Sequence, residues 1–213
     1  MTKLDFRNCT LAYLDDTFAL KQIFDSHELA EWLDRESHVP DSDRQILLRF
    51  QKKLIRNVHD WNEAELTQNF IGPVFALVDY TTEQFNFFAQ RDFSGKVGDI
   101  EMTGRPDGMI ASGFRVPKKP YFCFQEYKKE QDPEGDPAGQ CLGAMLAAQE
   151  VNQHQHPVYG CYVIGADWYF MTLRGDTYAI SPAYVATRED ISDIFRILKS
   201  LKEIITNLAD RVS

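Results

Sequence analysis

The chain has 213 residues, a length typical of one domain with an additional segment. Hydrophobic residues make up 44% of the sequence and charged residues 26%, which argues against disorder over most of the chain. No apolar run approaches the roughly 18 residues that a membrane helix needs. The first ten residues, MTKLDFRNCT, lack the apolar core of a secretory signal. We therefore expect a cytoplasmic globular protein without a membrane partner.

The charge of the chain is negative and unevenly distributed. Lysine and arginine number 23 against 32 aspartate and glutamate residues, which gives a net charge of −9 at pH 7. Such a chain has little non-specific affinity for nucleic acid, because the phosphate backbone repels it. Residues 91–130 differ from the rest, since they contain eight basic and six acidic residues. This stretch also contains the candidate catalytic residues described below.

The first 60 residues predict helices, one of which has apolar residues at every third or fourth position. A further helix begins at Asn62, because Asn62 and Glu65 have the spacing of a capping box. Gly72 and Pro73 should kink this helix, since proline removes a helical hydrogen bond.

From about residue 84 the pattern changes to strands separated by glycines. Residues 120–128, PYFCFQEYK, are typical of a strand that is buried on both faces. A helix follows over about 138–152, and two further strands are predicted within 157–175. This order of elements predicts an α/β fold.

The last predicted helix covers about 188–210. Its apolar residues are spaced alternately by three and four positions, and this stripe suits either the protein's own core, which we favour, or the seam of a homodimer. We divide the chain into an N-terminal helical extension, residues 1–60, and a larger domain, residues 61–213.

Two carboxylates are predicted to meet across a hairpin. The segment GFRVPKKP, residues 113–120, has the glycine and prolines of a loop between two strands. If these strands pair antiparallel about the centre of the loop, Asp107 lies opposite Glu126, with Cβ atoms about 4.5–5.5 Å apart. Lys128 lies two residues beyond Glu126 and therefore on the same face of the strand.

Such a pair of carboxylates repels unless it is protonated, paired or bound to a cation. Lys128 offsets part of the repulsion, and a divalent cation with oxygen ligands, Mg²⁺ or Mn²⁺, offsets more. A metal held by Asp107 and Glu126 suits the attack of water on a phosphodiester, because the metal polarises the phosphoryl oxygen. The neighbouring lysine can orient the water or stabilise charge in the transition state.

The segments RPD, 105–107, and EYK, 126–128, resemble the motif of the PD-(D/E)XK nuclease superfamily, which includes restriction and repair endonucleases. With the helix that begins at Asn62, they resemble the N-terminal nuclease domain of type I restriction subunits over about residues 62–175. This resemblance implies a restriction-endonuclease-like core, in which helices flank a mixed central sheet. It also implies a Mg²⁺- or Mn²⁺-dependent activity on DNA.

The resemblance also implies roles for single residues. Glu63 matches a glutamate that completes the metal site, and the carbonyl of Tyr127 is a further ligand by the same analogy. Gln140 matches a glutamine that often follows the E-x-K strand. However, Ala144 stands where the type I pattern usually has a tyrosine, which leaves the role of Gln140 open. The chain contains no G-x-x-x-x-G-K-[ST] phosphate loop, and hence no motor of a full restriction subunit.

The candidates for contacts with nucleic acid are Arg105, Lys118, Lys119, Lys129 and Gln140. Purely structural interpretations stand beside the functional ones. Lys118 and Lys119 could form the solvated tip of a hairpin, and Glu63 could serve only the dipole of its helix. Asp107 could be a turn residue, and Glu126 could be half of a plain ion pair.

Two functions remain open at this point. The first is a Mg²⁺-dependent DNA endonuclease linked to restriction-modification or repair. The second is a catalytically weak or inactive module of nuclease fold, which binds a protein partner in a larger nucleic-acid-processing assembly. The net charge of −9 favours the second function.

Overall fold

A mixed β-sheet runs through the middle of the molecule, with helices on both faces. The computed structural model describes residues 2–131 and 133–212. The strands are β1 (Thr2–Asp5), β2 (Lys21–Gln22), β3 (Phe85–Ala89), β4 (Phe93–Val97), β5 (Ile100–Gly104), β6 (Gly108–Ser112), β7 (Lys118–Lys128), β8 (Val158–Ile164), β9 (Asp167–Arg174), β10 (Thr177–Ile180) and β11 (Tyr184–Val185). The helices are α1 (Leu11–Phe18), α2 (His27–Asp34), α3 (Asp41–Asn57), α4 (Glu63–Leu66), α5 (Gly72–Val78), α6 (Pro137–Val151) and α7 (Ile191–Val212), with a 3₁₀ turn at Phe6–Asn8 and a π-helical turn at Thr67–Ile71.

The order and direction of these strands confirm the predicted α/β fold with a mixed central sheet. The main sheet has the order β2-β10-β9-β8-β7-β6-β3, and β11 pairs with β9 outside this path. β7 runs parallel to β8, to which it is connected through α6, and β2 runs parallel to β10. The other pairs of the main sheet are antiparallel. A smaller sheet has the order β1-β5-β4.

The strand predicted to be buried on both faces is β7, which lies between β6 and β8 in the main sheet. All its residues from Phe122 to Lys128 are buried, which confirms the prediction. Phe124 contributes to the core beneath α6 and the smaller sheet, whereas Tyr127 contributes to the core beneath α3, α5 and α7. Successive side chains of a strand point to opposite faces, so β7 joins the two cores.

The predicted register of the hairpin between β6 and β7 is confirmed at the end that carries Asp107. Gly108 pairs with Gln125, so the next position in this register sets Asp107 opposite Glu126. Toward the loop the register shifts at an irregularity. The loop is therefore shorter than predicted, because β7 already begins at Lys118.

The N-terminal region forms helices, as predicted, and also two short strands that the sequence did not predict. β1 pairs with β5 and β2 pairs with β10, so this region contributes to both sheets. Trp32 is fully buried against Tyr159 and Phe170, and its Nε1 donates a hydrogen bond to the carbonyl of Ile197 at 2.9 Å. The first 60 residues thus share a core with the rest of the chain, and a domain boundary near residue 60 stays a prediction.

The helix predicted from Asn62 begins with the expected capping box. Asn62 Oδ1 accepts a hydrogen bond from the N–H of Glu65 at 2.9 Å, and Glu65 Oε2 accepts one from the N–H of Asn62 at 3.0 Å. Before Pro73 the helix widens into a π-helical turn, in which the N–H of Gly72 donates to the carbonyl of Thr67. This turn is the local disturbance expected beside a proline that lacks an N–H group.

The apolar stripe of α7 packs on the protein's own core. Ile194, Leu198 and Leu201 are fully buried there. The stripe is therefore buried within the chain and does not offer the homodimer seam that the sequence left open. In the described part of the chain, no helix combines the length and apolar character needed to cross a membrane.

The shared core predicts how the protein unfolds when Trp32 is replaced by alanine. We expect the free energy of unfolding to fall by about 3–5 kcal/mol, because a large buried side chain is lost. Denaturant unfolding followed by circular dichroism should still give one transition, because α2 and the main sheet share a core. Phe24, which is 91% exposed, provides the control Phe24→Ala, which should change little. A separate early transition in Trp32→Ala that leaves the sheet folded would contradict the shared core.

Candidate functional site

Six of the residues predicted from the sequence line one cavity of about 450 Å³: Glu63, Arg105, Asp107, Glu126, Lys128 and Gln140. They come from four parts of the chain, namely the start of α4, the loop before β6, the end of β7 and the start of α6. The main sheet therefore brings together side chains that are widely separated in sequence.

Backbone hydrogen bonds hold Asp107 at the end of the hairpin. Its Oδ2 accepts a hydrogen bond from the N–H of Tyr127 at 2.8 Å, and its carbonyl accepts one from the N–H of Gln90 at 3.1 Å. Burial raises the pKa of Asp107, although the hydrogen bond from Tyr127 and the charge of Lys128 oppose this change. Because Tyr127 directly follows Glu126, these bonds keep the two carboxylates side by side.

Glu126 and Lys128 form a buried ion pair at the end of β7. Lys128 Nζ donates a hydrogen bond to Glu126 Oε1 at 2.8 Å, and the side chains are only 11% and 12% exposed for Lys128 and Glu126. The other oxygen, Oε2, accepts no hydrogen bond from the residues that the structure describes. A buried ion pair is costly unless its remaining polar atoms also find ligands. Oε2 is not among the buried polar atoms of the described residues that lack a partner, so it is accessible from the cavity, where water or a further ligand can bind it.

Negative charge is in excess within this cluster. Burial and the charge of Asp107 raise the pKa of Glu126 to about 7. Burial lowers the pKa of Lys128, but the hydrogen bond to Glu126 and the surrounding carboxylates outweigh burial and raise it above its ordinary value. For Glu126 burial is the largest cause, and the charges of Asp107 and Glu63 add to it, so several carboxylates face a single lysine. The cluster therefore carries more negative than positive charge, which a bound cation would offset.

Glu63 reaches the cluster from the first residue of α4. The capping box uses Glu65, so Glu63 is not needed to cap the helix. Glu63 is half-buried at the cavity, and its charge raises the pKa of both Glu126 and Lys128. Glu63 therefore acts on the cluster and not only on the dipole of its own helix.

The side chain of Tyr127 lies in the opposite core. Its hydroxyl donates a hydrogen bond to Gln125 Oε1 at 2.6 Å. Tyr127 lines a second cavity of about 500 Å³, which shares Glu63, Gln90 and Asp107 with the first. The N–H of Tyr127 holds Asp107, and the role of its carbonyl as a metal ligand stays a prediction.

Three of the candidates for nucleic-acid contacts lie outside both cavities. Lys118 and Lys119 begin β7, at roughly 30 Å from Lys128 for a rise of about 3.3 Å per residue. Lys129 follows β7 and is half-buried. The sequence placed all three in one basic stretch with the carboxylates, but an extended strand separates Lys118 and Lys119 from them. These two lysines are therefore not part of the site.

The other two candidates do line the first cavity. Arg105 is exposed there and pairs with Asp92. Gln140 is buried, and its amide lies so close to Gly135 that a Cβ on that glycine would be 2.5 Å from Nε2. Ala144 also lines the cavity one helical turn later, where the type I pattern usually has a tyrosine.

Sequence reasoning missed Arg7 and Gln90, which both line the first cavity. Arg7 lies 100 residues before Asp107, and no local pattern connects the two. The parallel pairing of β1 with β5 brings Arg7 to the cavity. Gln90 follows β3, and its backbone hydrogen bond to Asp107 depends on the pairing of β3 with β6.

The cluster suits a divalent cation that keeps part of its water shell. The described residues include no group of three or more Asp, Glu, His and Cys side chains that could hold a metal ion. Mg²⁺, however, is commonly bound through one or two carboxylates, with waters and substrate phosphate oxygens as its other ligands. Asp107 and Glu126 are such a pair, and the unbonded Oε2 and the excess negative charge fit this cation.

No model of a known protein family matches the chain, and no curated protein matches it. The resemblance to PD-(D/E)XK nucleases therefore rests on the residues of the site and on their positions in the sheet.

The raised pKa of Glu126 predicts how the stability of the metal-free protein depends on pH. A carboxyl with a pKa of about 7 when folded and 4.5 when unfolded binds more protons in the folded state. The contribution of Glu126 to the free energy of unfolding therefore falls as the pH rises from 4.5 through 7. Between pH 5 and 8 this contribution should lower the free energy of unfolding by about 2 kcal/mol, and the decrease should be absent in Glu126→Gln. Denaturant unfolding with a chelator present measures it.

Glu189 is exposed and provides the matched control. Glu189→Gln should keep the pH dependence of the unchanged protein. If Glu126→Gln also keeps it, Glu126 does not have the raised pKa that burial and Asp107 predict.

Proposed function

We propose that this protein is a metal-dependent endonuclease that hydrolyses phosphodiester bonds of DNA, in restriction-modification or in repair. The observation that carries this proposal is the cluster of half-buried Asp107 with the buried pair Glu126 and Lys128 at the wall of an open cavity. Buried charged groups of this kind contribute little to stability, since apolar replacements are often neutral or stabilising. Their presence at one end of the central strand is therefore best explained by chemistry.

The arrangement of the surrounding elements supports a restriction-endonuclease-like core. The helix that begins with Glu63 precedes the antiparallel strands β3, β6 and β7, and α6 then leads to the parallel strand β8. This is the order that the resemblance to PD-(D/E)XK nucleases implies. The acidic residue before β6 and the E-x-K motif at the end of β7 take the positions of that family's motif.

Asp107 and Glu126 would hold Mg²⁺ or Mn²⁺, with Glu63 in a supporting position. When bound, such a cation polarises a phosphoryl oxygen and lowers the pKa of a water ligand. The hydrogen bond from the N–H of Tyr127 keeps Asp107 oriented toward Glu126. Glu126 also positions Lys128 through the 2.8 Å hydrogen bond between them.

Lys128 supplies a fixed positive charge at the cluster. Its pKa lies above the ordinary value, so the ammonium group stays protonated at neutral pH. Of its three N–H groups one is donated to Glu126, which leaves two to orient the attacking water and to stabilise charge that develops on the phosphate. Lys128 is accordingly the proposed catalytic lysine.

A second candidate function is favoured by the distribution of charge. The chain has a net charge of −9, and at the cavity Arg105 and Lys128 already pair with carboxylates. A surface of this kind attracts DNA weakly at physiological salt. The alternative is therefore a module of nuclease fold with weak or no activity, which binds a protein partner in a nucleic-acid-processing assembly.

Cleavage of DNA by the purified protein tests the enzymatic proposal. We expect cleavage that requires Mg²⁺ or Mn²⁺ and falls about 100-fold or more in Lys128→Ala, because a donor to the transition state is lost. Plasmid nicking and cleavage of a labelled oligonucleotide measure this rate. Lys52→Ala is the matched control and should keep the activity, since Lys52 is exposed on α3 and lies outside both cavities.

Equal cleavage by the wild-type protein and Lys128→Ala would remove Lys128 from the mechanism. If the wild-type protein cleaves no DNA with any divalent cation, the binding module becomes the preferred function.

Calorimetry with Mn²⁺ tests the metal site independently of activity. We expect the wild-type protein to bind Mn²⁺ and Asp107→Asn to bind it about tenfold more weakly or worse, because a negatively charged ligand is lost. Asp99, which is exposed, provides the control Asp99→Asn with unchanged affinity. Equal binding by the wild-type protein and Asp107→Asn would show that Mn²⁺ binds elsewhere.

A further inference from the structure

Arg7 is a cationic residue at the wall of the first cavity. It lies in the 3₁₀ turn after β1, is exposed, and lines the same cavity as Asp107 and Glu126. Its backbone N–H donates to Asp5 Oδ1, but its guanidinium forms no ion pair within the part of the chain that the structure describes. The positive charge of Arg7 also lowers the pKa of Asp107, so the two groups are close enough to interact.

The other two cationic side chains at this cavity already form ion pairs. Arg105 pairs with Asp92, and Lys128 pairs with Glu126. Among the described residues that line this cavity, Arg7 is thus the one cationic side chain that forms no ion pair. An anionic group that enters the cavity can therefore bind Arg7 without breaking an existing ion pair.

The loop that leads to Asp107 holds the backbone before Arg7 in place. β1 pairs with β5, and the next residue, Phe6, is buried and stacks on Phe93 at 6.1 Å between ring centroids. Gly104 leaves the space that this ring fills, since a Cβ there would lie 2.6 Å from Phe6. Because Gly104 is three residues before Asp107, the packing of Phe6 couples the N-terminal segment to the site.

The start of α6 holds the backbone after Arg7 in place. The backbone of Thr10 packs against Gly139, where an added Cβ would lie 2.5 Å from the Cα of Thr10. Asp136 caps α6 by accepting a hydrogen bond from the N–H of Gly139, and it also accepts one from the N–H of Leu11, both at 2.9 Å. The backbone on both sides of Arg7 is thus held, while its side chain is exposed to solvent.

We propose that Arg7 binds a non-bridging oxygen of the nucleic-acid phosphate that enters the cavity, so that residues 2–11 complete the nuclease site. This inference rests on the proposed function and deepens it, because it names a substrate contact outside the region that resembles the nuclease family. A guanidinium group presents a rigid fork of donors that matches the oxygens of a phosphate. In an acidic chain, a single arginine on a held backbone also supplies attraction where the carboxylates would otherwise repel the substrate.

Binding and cleavage are measured together to test this contact. The probe is a fluorescein-labelled DNA oligonucleotide, and its anisotropy is followed with Ca²⁺ in place of Mg²⁺. Arg7→Ala should weaken binding about tenfold, and it should reduce the slope of log affinity against log salt by about one, as expected for the loss of one phosphate contact. Arg7→Lys should recover part of the affinity, because the charge is kept while the planar fork is lost.

Arg49 is exposed on α3 and provides the control Arg49→Ala, which has the same change in net charge. If Arg7→Ala and Arg49→Ala bind and cleave alike, the inference is overturned while the nuclease proposal stands. If the wild-type protein cleaves nothing but Arg7→Ala alone weakens binding, the phosphate contact stands and the nuclease proposal fails. If the wild-type protein neither binds the oligonucleotide nor cleaves it, both are overturned.

Discussion

The antiparallel pairing of β6 with β7 holds the carboxylate of Asp107 against the N–H of Tyr127, beside the ion pair of Glu126 and Lys128. A shift of one residue in this pairing would turn the ion pair into the opposite, apolar core. Phe124 and Tyr127 oppose such a shift, because each is buried in a different core. The same apolar packing that stabilises the main sheet therefore also sets the positions of the charged groups.

The cluster itself is a source of instability within a well-packed strand. The pKa of Glu126 is raised to about 7, and the pKa of Lys128 is raised above its ordinary value. Burial is the largest cause of the shift in Glu126, and Asp107 and Glu63 add to it, while Glu126 itself contributes most to the raised pKa of Lys128. A bound cation would offset the excess of negative charge at the cluster. The protein tolerates this charge because its two cores on either side of β7 are extensive and apolar.

The N-terminal segment links the smaller sheet, the loop before Asp107 and the start of α6. Phe6 fills the space beside Gly104, and Asp136 joins the cap of α6 to the N–H of Leu11. The cavity is therefore bounded by Phe6 and Arg7 as well as by the region that resembles a nuclease. Arg7 belongs to the site through this packing, although it lies far from the motif in sequence.

The predictions that held depend on residues close together in the chain. The capping box of Asn62 and Glu65, the buried strand and the pairing of Asp107 with Glu126 across a short hairpin all follow from local spacing. The interaction of Glu63 with this pair was expected only from the family resemblance.

Only the tertiary structure decided which charged residues share the cavity. Lys118 lies in the same basic stretch as Lys128, but the length of an extended strand separates them. Arg7 lies at the cavity because β1 pairs with β5, and the residues of such a parallel pair carry no spacing that identifies their partner. By itself, the sequence determined the strands around the hairpin and the central pair of carboxylates. The long-range packing of sheets and helices determined the rest, because it depends on contacts that local periodicity does not encode.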